Sequence, residues 1–280
     1  MKLLFGTAGV PISSKFSDTL TGMERIKELG LDFMELEFVQ GVRMEELTAR
    51  KVAEKREKLG LHLTVHGPYF INLNAKEPYK IEASQKRIYD SARIGALCGA
   101  ESVTFHAGFY LGDTPQKTYK EIKKNLKPVL NQLKRENINI QLSPELTGKP
   151  TQFGSLDELL NLAGELDGVG LCIDFSHMHA RTGGAYNSYN EFAEILEKVG
   201  KLIDAKALEQ LHIHTSGIKY SAKGELKHLD LLDSDMNYKE LLKALKDYRV
   251  GGFLVCESPN LEGDAILMKR FYEGVRPAHP

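Results

Sequence analysis

The chain has no apolar run long enough to cross a bilayer. Its longest apolar stretches break at a charge or a turn residue after roughly five to eight positions, against the ~20 that a spanning helix needs. The segment Met1 to Gly6 carries no run of secretory length and leads directly into strand-like sequence, so an intracellular, cytoplasmic protein with no membrane partner is expected. Cysteine is scarce. Cys98, Cys172 and Cys256 sit singly in apolar segments with no CxxC spacing, which argues against a disulfide framework or a cysteine-based zinc site and reads as three reduced core residues. Charge of one sign is also lacking. A formal net charge of -1 leaves no broadly basic surface for nucleic acid, although each divalent ion bound would add two positive charges.

What is present is alternation. With 280 residues and 42% hydrophobic content the chain can bury a large core. Along its length a short β-branched or apolar run, a polar loop and a longer stretch of helical spacing recur. Candidate strands are Lys2 to Thr7, Phe33 to Val39, His62 to His66, Ser102 to His106, Ile138 to Ser143, Gly170 to Phe175, Gln210 to His214 and Gly252 to Glu257. Helical candidates between them include Glu45 to Lys58, Tyr79 to Cys98, Pro115 to Arg135, Glu191 to Val199, Tyr238 to Leu245 and Asp264 to Tyr272. Strand-helix alternation implies parallel strands with right-handed crossovers, and eight units close a barrel, so the expected fold is one α/β domain over 1–280, a (β/α)8 TIM barrel. A doubly wound open sheet is the alternative. No low-complexity tract or linker marks a second domain.

In such barrels the chemistry sits at the C-terminal ends of the strands. Strand three ends at His66, strand four at His106, strand five just before Glu145, and strand six at Asp174 with His177 after it; strand seven carries His212, strand eight ends at Glu257, and His228 lies in the long loop after strand seven. Imidazole and carboxylate are ligands of zinc and similar divalent ions, and too many gather here for the four positions of a single ion. A carboxylate such as Glu145 has two oxygens and can bridge two ions. Taken singly, a strand-end histidine is more often a hydrogen-bonded structural residue. Asp174 and Glu257 end apolar strands, where an unpaired buried carboxylate costs several kcal/mol, so they need a metal, an arginine or a hydrogen-bond partner. Ser176-His177 lacks a GxSxG elbow, and Gly6 to Gly9 and Gly183-Gly184 lack phosphate-cradling spacing, so these read as structural. His62, His179, His214 and His279 read as structural or surface residues, His214 least securely because alternation puts it on the same side as His212.

These residues resemble the endonuclease IV enzymes within the xylose-isomerase-like barrels, over nearly the whole chain. His66-Gly-Pro-Tyr-Phe-Ile-Asn-Leu73 is similar to the segment that carries a zinc-binding His and a DNA-penetrating Tyr. Phe105-His-Ala-Gly108, Glu145-Leu-Thr-Gly148, Cys172-Ile-Asp-Phe-Ser-His177, Leu211-His-Ile213 and Val255-Cys-Glu-Ser-Pro259 resemble the remaining motifs. The resemblance implies one ion on His66, His106 and Glu145, a second on Glu145, Asp174, His212 and Glu257, and a third on His177 and His228. At the third site the family has an Asp two residues before its His; Leu226 stands here, with Glu225 or Asp230 as substitutes. His214-Thr215 replaces the usual Asn-Asp, and these departures resemble an archaeal-looking branch.

The activity so implied is that of a hydrolase of the deoxyribonuclease IV type: an endonuclease of base-excision repair that uses two or three Zn2+ ions, or Mn2+, with Glu145 as catalytic centre, to cut 5′ to abasic sites in double-stranded DNA as a monomer. Tyr69 and Phe70 are candidates to wedge into the base stack; Arg43, Lys219, Lys223 and Lys227 are candidates for phosphate contacts. Two other classes compete. Glu145, Asp174, His212 and Glu257 alone would make a single-metal sugar isomerase or epimerase, and a non-catalytic barrel would hold metal or DNA without turnover.

Overall fold

The computed structural model describes residues 2–275, so His279 lies outside the described residues. Eight parallel strands alternate with helices, as expected: β1 (Leu3–Ala8), β2 (Phe33–Glu37), β3 (His62–His66), β4 (Ser102–Phe105), β5 (Gln141–Pro144), β6 (Cys172–Asp174), β7 (Leu211–Thr215) and β10 (Gly252–Cys256). They run in the order β5-β4-β3-β2-β1-β10-β7-β6. Isolated parallel bridges, Leu142 to Val169 and Glu145 to Cys172, bring β5 beside β6 and close the ring. This is a (β/α)8 barrel.

The helices are α1 (Thr19–Glu28), α2 (Glu46–Leu59), α3 (Pro78–Leu97), α4 (Pro115–Arg135), α5 (Leu156–Glu165), α6 (Phe175–Arg181), α7 (Tyr189–Leu202), α8 (Tyr238–Asp247) and α9 (Glu262–Gly274). None is long and apolar enough to cross a membrane among the described residues. The helices other than the short α6 lie outside the barrel; α8 buries Tyr238, Leu241, Leu242 and Leu245, one face of a 3.6-residue repeat, and Asn237 caps it by accepting from the Glu240 amide. The main hydrophobic core therefore lies between strands and helices. Inside the barrel the apolar filling is slight: Phe33, Phe253 and Val255, with Leu4 and Ala8 against them. Above that plug the interior turns polar, with Glu35, Thr64, Thr104, Ser143 and His212 all buried.

Local chemistry explains where the structure departs from the expected boundaries. The fifth strand begins at Gln141 rather than Ile138, because Asn137 takes the left-handed conformation (φ 54) and the Ile138 amide donates back to Leu133, a helix stop that uses up the intervening residues. The sixth strand ends at Asp174 because that side chain accepts from the His177 amide at 2.7 Å and starts α6 at the next residue. The expected long loop after the seventh strand is largely an antiparallel hairpin, β8 (Gly217–Ser221) and β9 (Gly224–Leu229). It is pinned to the rim by Tyr220, which donates to Asp235 at 2.7 Å, and by the Glu225 amide, which donates to the Gly148 carbonyl at 2.9 Å.

The seam between β5 and β6 rests on isolated bridges, whereas β1 and β10 pair continuously from Leu3–Gly252 to Thr7–Cys256. Hydrogen exchange should therefore find the Leu142 and Gly170 amides ~10-fold or more less protected than the β1 amides. Equal protection would contradict a weak seam.

Candidate metal centre

The C-terminal ends of the strands bring nine acids and imidazoles into three adjoining groups, each with donor atoms within 4.8 Å of one another: His66, His106 and Glu145; Glu145, Asp174, His214 and Glu257; His177, Glu225 and His228. Glu145 is shared by the first two. Its Oε2 lies 3.2 Å from His66 Nε2 and 3.3 Å from His106 Nε2, while Oε1 lies 3.1 Å from His177 Nδ1 and 3.6 Å from His214 Nδ1. His214 Nδ1 is 3.3 Å from Glu257 Oε1. In the third group Glu225 spans the gap, with Oε2 3.5 Å from His177 Nε2 and Oε1 3.9 Å from His228 Nε2.

Several imidazoles are held by one ring nitrogen and present the other. His66 Nδ1 bonds the Gly67 carbonyl at 2.8 Å, His177 Nδ1 the Leu146 carbonyl at 3.0 Å, and His228 Nδ1 the Glu257 carbonyl at 3.2 Å. A nitrogen next to a carbonyl must carry the proton, so whenever the ring is neutral Nε2 of each turns its lone pair toward the group. His214 is reversed: Glu35 Oε1 lies 3.1 Å from its Nε2, and Nδ1 faces the rim.

The sequence matches a family model described as Xylose isomerase-like TIM barrel over residues 23–273. The chain belongs to the xylose isomerase-like TIM barrel family. Within it, the chain is 46% identical to an uncharacterized protein of Methanocaldococcus jannaschii, over 96% of this chain and 97% of that one. It is 26% identical to a probable endonuclease 4 of Oceanobacillus iheyensis, over 62% of this chain and 58% of that protein, so the chain spans little more than half of that relative. Two solved structures share the fold: a D-tagatose 3-epimerase-like protein (TM-score 0.73, 21% identity, 98% and 96% of the two chains) and endonuclease IV from Thermus thermophilus (TM-score 0.71, 19% identity, 97% and 100%).

The donor set of this xylose isomerase-like barrel fits divalent ions. Both oxygens of Glu145, Asp174 Oδ2, Glu257 Oε2 and His214 Nδ1 are buried without a hydrogen-bond partner, since the nearby imidazole nitrogens do not meet them in hydrogen-bonding geometry. Leaving such atoms unpaired is costly, and a cation is the partner that would answer all of them together. Without one, burial lifts the Asp174 carboxyl to about 6 despite His177, with Glu257 and Glu145 adding like charge. For His66, burial favours the neutral form, but Glu145 at 3.2 Å, helped by Glu37 and Glu35, outweighs it and holds the imidazolium up to about 10. Gly148 supplies a clearance: a Cβ there would lie 2.7 Å from Glu225 Cβ and 2.9 Å from His177 Cδ2, so only glycine lets Glu225 reach His177.

The structure brings His66, His106, Glu145, Asp174, His177, Glu225, His228 and Glu257 to one rim, and from strand seven it places His214 rather than His212 among them. His212 lies one layer below the rim, with Nδ1 2.6 Å from Ser102 Oγ and Nε2 2.7 Å from Glu35 Oε2. His214, read from sequence as structural, stands in its place. Both face inward, and the residue nearer the strand's C-terminal end reaches the rim. Asp230 is outside the third group and accepts from the Asn260 amide. His62 pairs with Glu101 and His179 with Asp235, both away from the three groups. Ser176 is absorbed by the Ser216 carbonyl and amide. Glu35 and Glu37 escaped notice, although their alternation on β2 aims both inward. Glu37 is exposed at the mouth yet ringed by the rim, and the loss of surrounding water raises its carboxyl despite His66, with Glu35 and Glu257 adding to the rise.

Restoring zinc to chelator-stripped protein should raise its stability, by ~2.7 kcal/mol at a hundredfold excess over Kd, as read from Tm. The gain should shrink as pH falls from about 8 to about 6, because bound imidazoles must give up their protons, and Glu145→Gln should lose most of it. Melting indifferent to zinc would refute the centre. Gly148→Ala should reduce bound metal by about one ion per chain while the other groups stay loaded; unchanged stoichiometry would show that Glu225 is not needed.

Proposed function

We propose that this protein is a metal-dependent phosphodiester hydrolase acting on DNA at abasic sites, cutting 5′ to the lesion. The observation that carries the reading is the sharing of Glu145 between two donor groups beside a third. His66, His106 and Glu145 would hold one ion, Glu145, Asp174, His214 and Glu257 a second, and His177, Glu225 and His228 a third. When bound, such ions bring the pKa of water down to roughly 7 and offset the charge of a phosphate. Zinc suits this mixture of imidazole and carboxylate, and manganese the carboxylates.

The chain's own residues do the rest. Glu145 fixes the spacing of the first two groups by giving one oxygen to each. Tyr69 and Phe70 stand at the lip, 55% and 61% exposed, and the Tyr69 ring rests edge-on against His66, with ring centroids 5.5 Å apart. Large aromatic faces in water beside a polar centre are suited to stacking into a helix, where a missing base lowers the cost of entry. Lys219 and Lys227 are cross-strand partners on the hairpin, so their charges stand side by side; Lys223 at its tip and Arg43 after β2 are exposed as well. These would hold backbone phosphates without reading sequence.

A second reading is a sugar epimerase, favoured by the group Glu145, Asp174, His214 and Glu257, which alone suffices for one ion. It leaves His66, His106, His177 and His228 without a task.

Incision of a labelled duplex with one abasic-site analogue separates the two. Zinc- or manganese-loaded protein should cut 5′ to the lesion, and Glu145→Gln should not. No cutting by folded protein carrying about one ion per chain would favour the epimerase. Tyr69→Ala should weaken binding to abasic DNA by about 1–3 kcal/mol more than binding to intact duplex; equal losses would remove the wedge. Lys219→Ala should lower the salt slope of binding by about 1, and an unchanged slope would rule out that phosphate contact.

A further inference from the structure

One layer beneath the rim, the polar interior of the barrel holds a further group that shares only His214 with the rim. Cys172, His212 and His214 offer donor atoms within 4.8 Å of one another, and their residues are 0%, 1% and 0% exposed. Nε2 of His212 and Nε2 of His214 face each other at 3.2 Å. The Glu35 carboxylate lies against both, Oε2 at 2.7 Å from His212 Nε2 and Oε1 at 3.1 Å from His214 Nε2. Yet Glu35 Oε1 has no hydrogen-bond partner, and the Thr64 hydroxyl, bonded at 2.7 Å to the other oxygen, is the donor that Glu35 receives. A wholly buried carboxylate with an unanswered oxygen thus lies against the two imidazoles that, with the Cys172 thiol, make up the group, and a cation there would answer it.

We infer that Cys172, His212 and His214, with Glu35 as fourth donor, form an inner metal site that takes one thiophilic divalent ion, zinc by its ligand chemistry. Around tetrahedral zinc with Zn–N and Zn–O bonds of ~2.0–2.2 Å, neighbouring donors stand roughly 3.3 Å apart, close to the spacings of His212, His214 and Glu35. One sulfur and two nitrogens are a soft, closed set, unlike the oxygen-rich rim. With both sites filled, His214 would give Nδ1 to the rim and Nε2 to the inner site as an imidazolate, its ring proton released to solvent on binding. On the opposite face, a cavity of about 460 Å³ at the N-terminal ends of the strands is lined by Ser102, Gln141, Gln210 and His212.

Sulfur distinguishes this site from the rim, whose groups contain none. The other two cysteines lie elsewhere, Cys98 against Met44 and Cys256 against Ser258. X-ray absorption at the zinc edge of the intact wild-type protein should therefore show a sulfur scatterer at ~2.3 Å. Cobalt-loaded protein should show a sulfur-to-cobalt charge-transfer band that Cys98→Ser keeps and Cys172→Ser loses, together with about one ion per chain. Only nitrogen and oxygen scatterers in metal-replete wild-type protein would overturn the site, as would a band that survives Cys172→Ser. The absorption measurement needs no variant, so a misfolded substitution leaves it intact. DNA incision reports the rim, and its failure would not bear on this result.

Discussion

The barrel mouth is organised around one carboxylate. Glu145 is 1% exposed, both its oxygens lack hydrogen bonds, and imidazoles from β3, the loop after β4, α6 and β7 converge on them. A charge so placed is tolerable only with a cation beside it, since burying one unpaired costs more than most single interactions return. The rest follows from serving that carboxylate. Strand ends aim the imidazoles, backbone carbonyls fix their tautomers, and Gly148 clears the space through which Glu225 enters.

The two cores of the molecule divide the work. The branched and aromatic residues that secure stability lie between strands and helices, where their burial needs no chemistry. That leaves the interior, which in many such barrels is packed with branched apolar side chains, free to carry Glu35, Thr64, Thr104, Ser143, Cys172 and His212 above a small plug of Phe33 and Phe253. Polar groups at that depth restrict one another through hydrogen bonds, so the rim rests on a rigid polar layer.

Much of this could be read from the chain because strand ends and functional positions coincide in this fold. His66, His106, Asp174 and Glu257 close or directly follow apolar runs, and their placement needed only the period of a strand. What failed was depth along a strand. His212 and His214 share a face, and choosing between them requires knowing where β7 meets the rim, a tertiary fact. Glu35 and Glu37 were overlooked because an acid inside a strand is conspicuous only once that strand is known to face a barrel interior. The helix α6 escaped because seven residues give little periodicity and its start depends on a side-chain cap from Asp174. The hairpin escaped because its strands, rich in lysine and glycine, gain their order by docking on Gly148 and Asp235 rather than from apolar alternation.

The two strands of that hairpin bond only to each other among the described sheets, so Glu225 and His228 ride on a hairpin that contributes no rung to the barrel ring. The third donor group is thus the one whose geometry answers to a loop rather than to the ring, and change in the hairpin reaches it while the other two groups keep their strand-end supports.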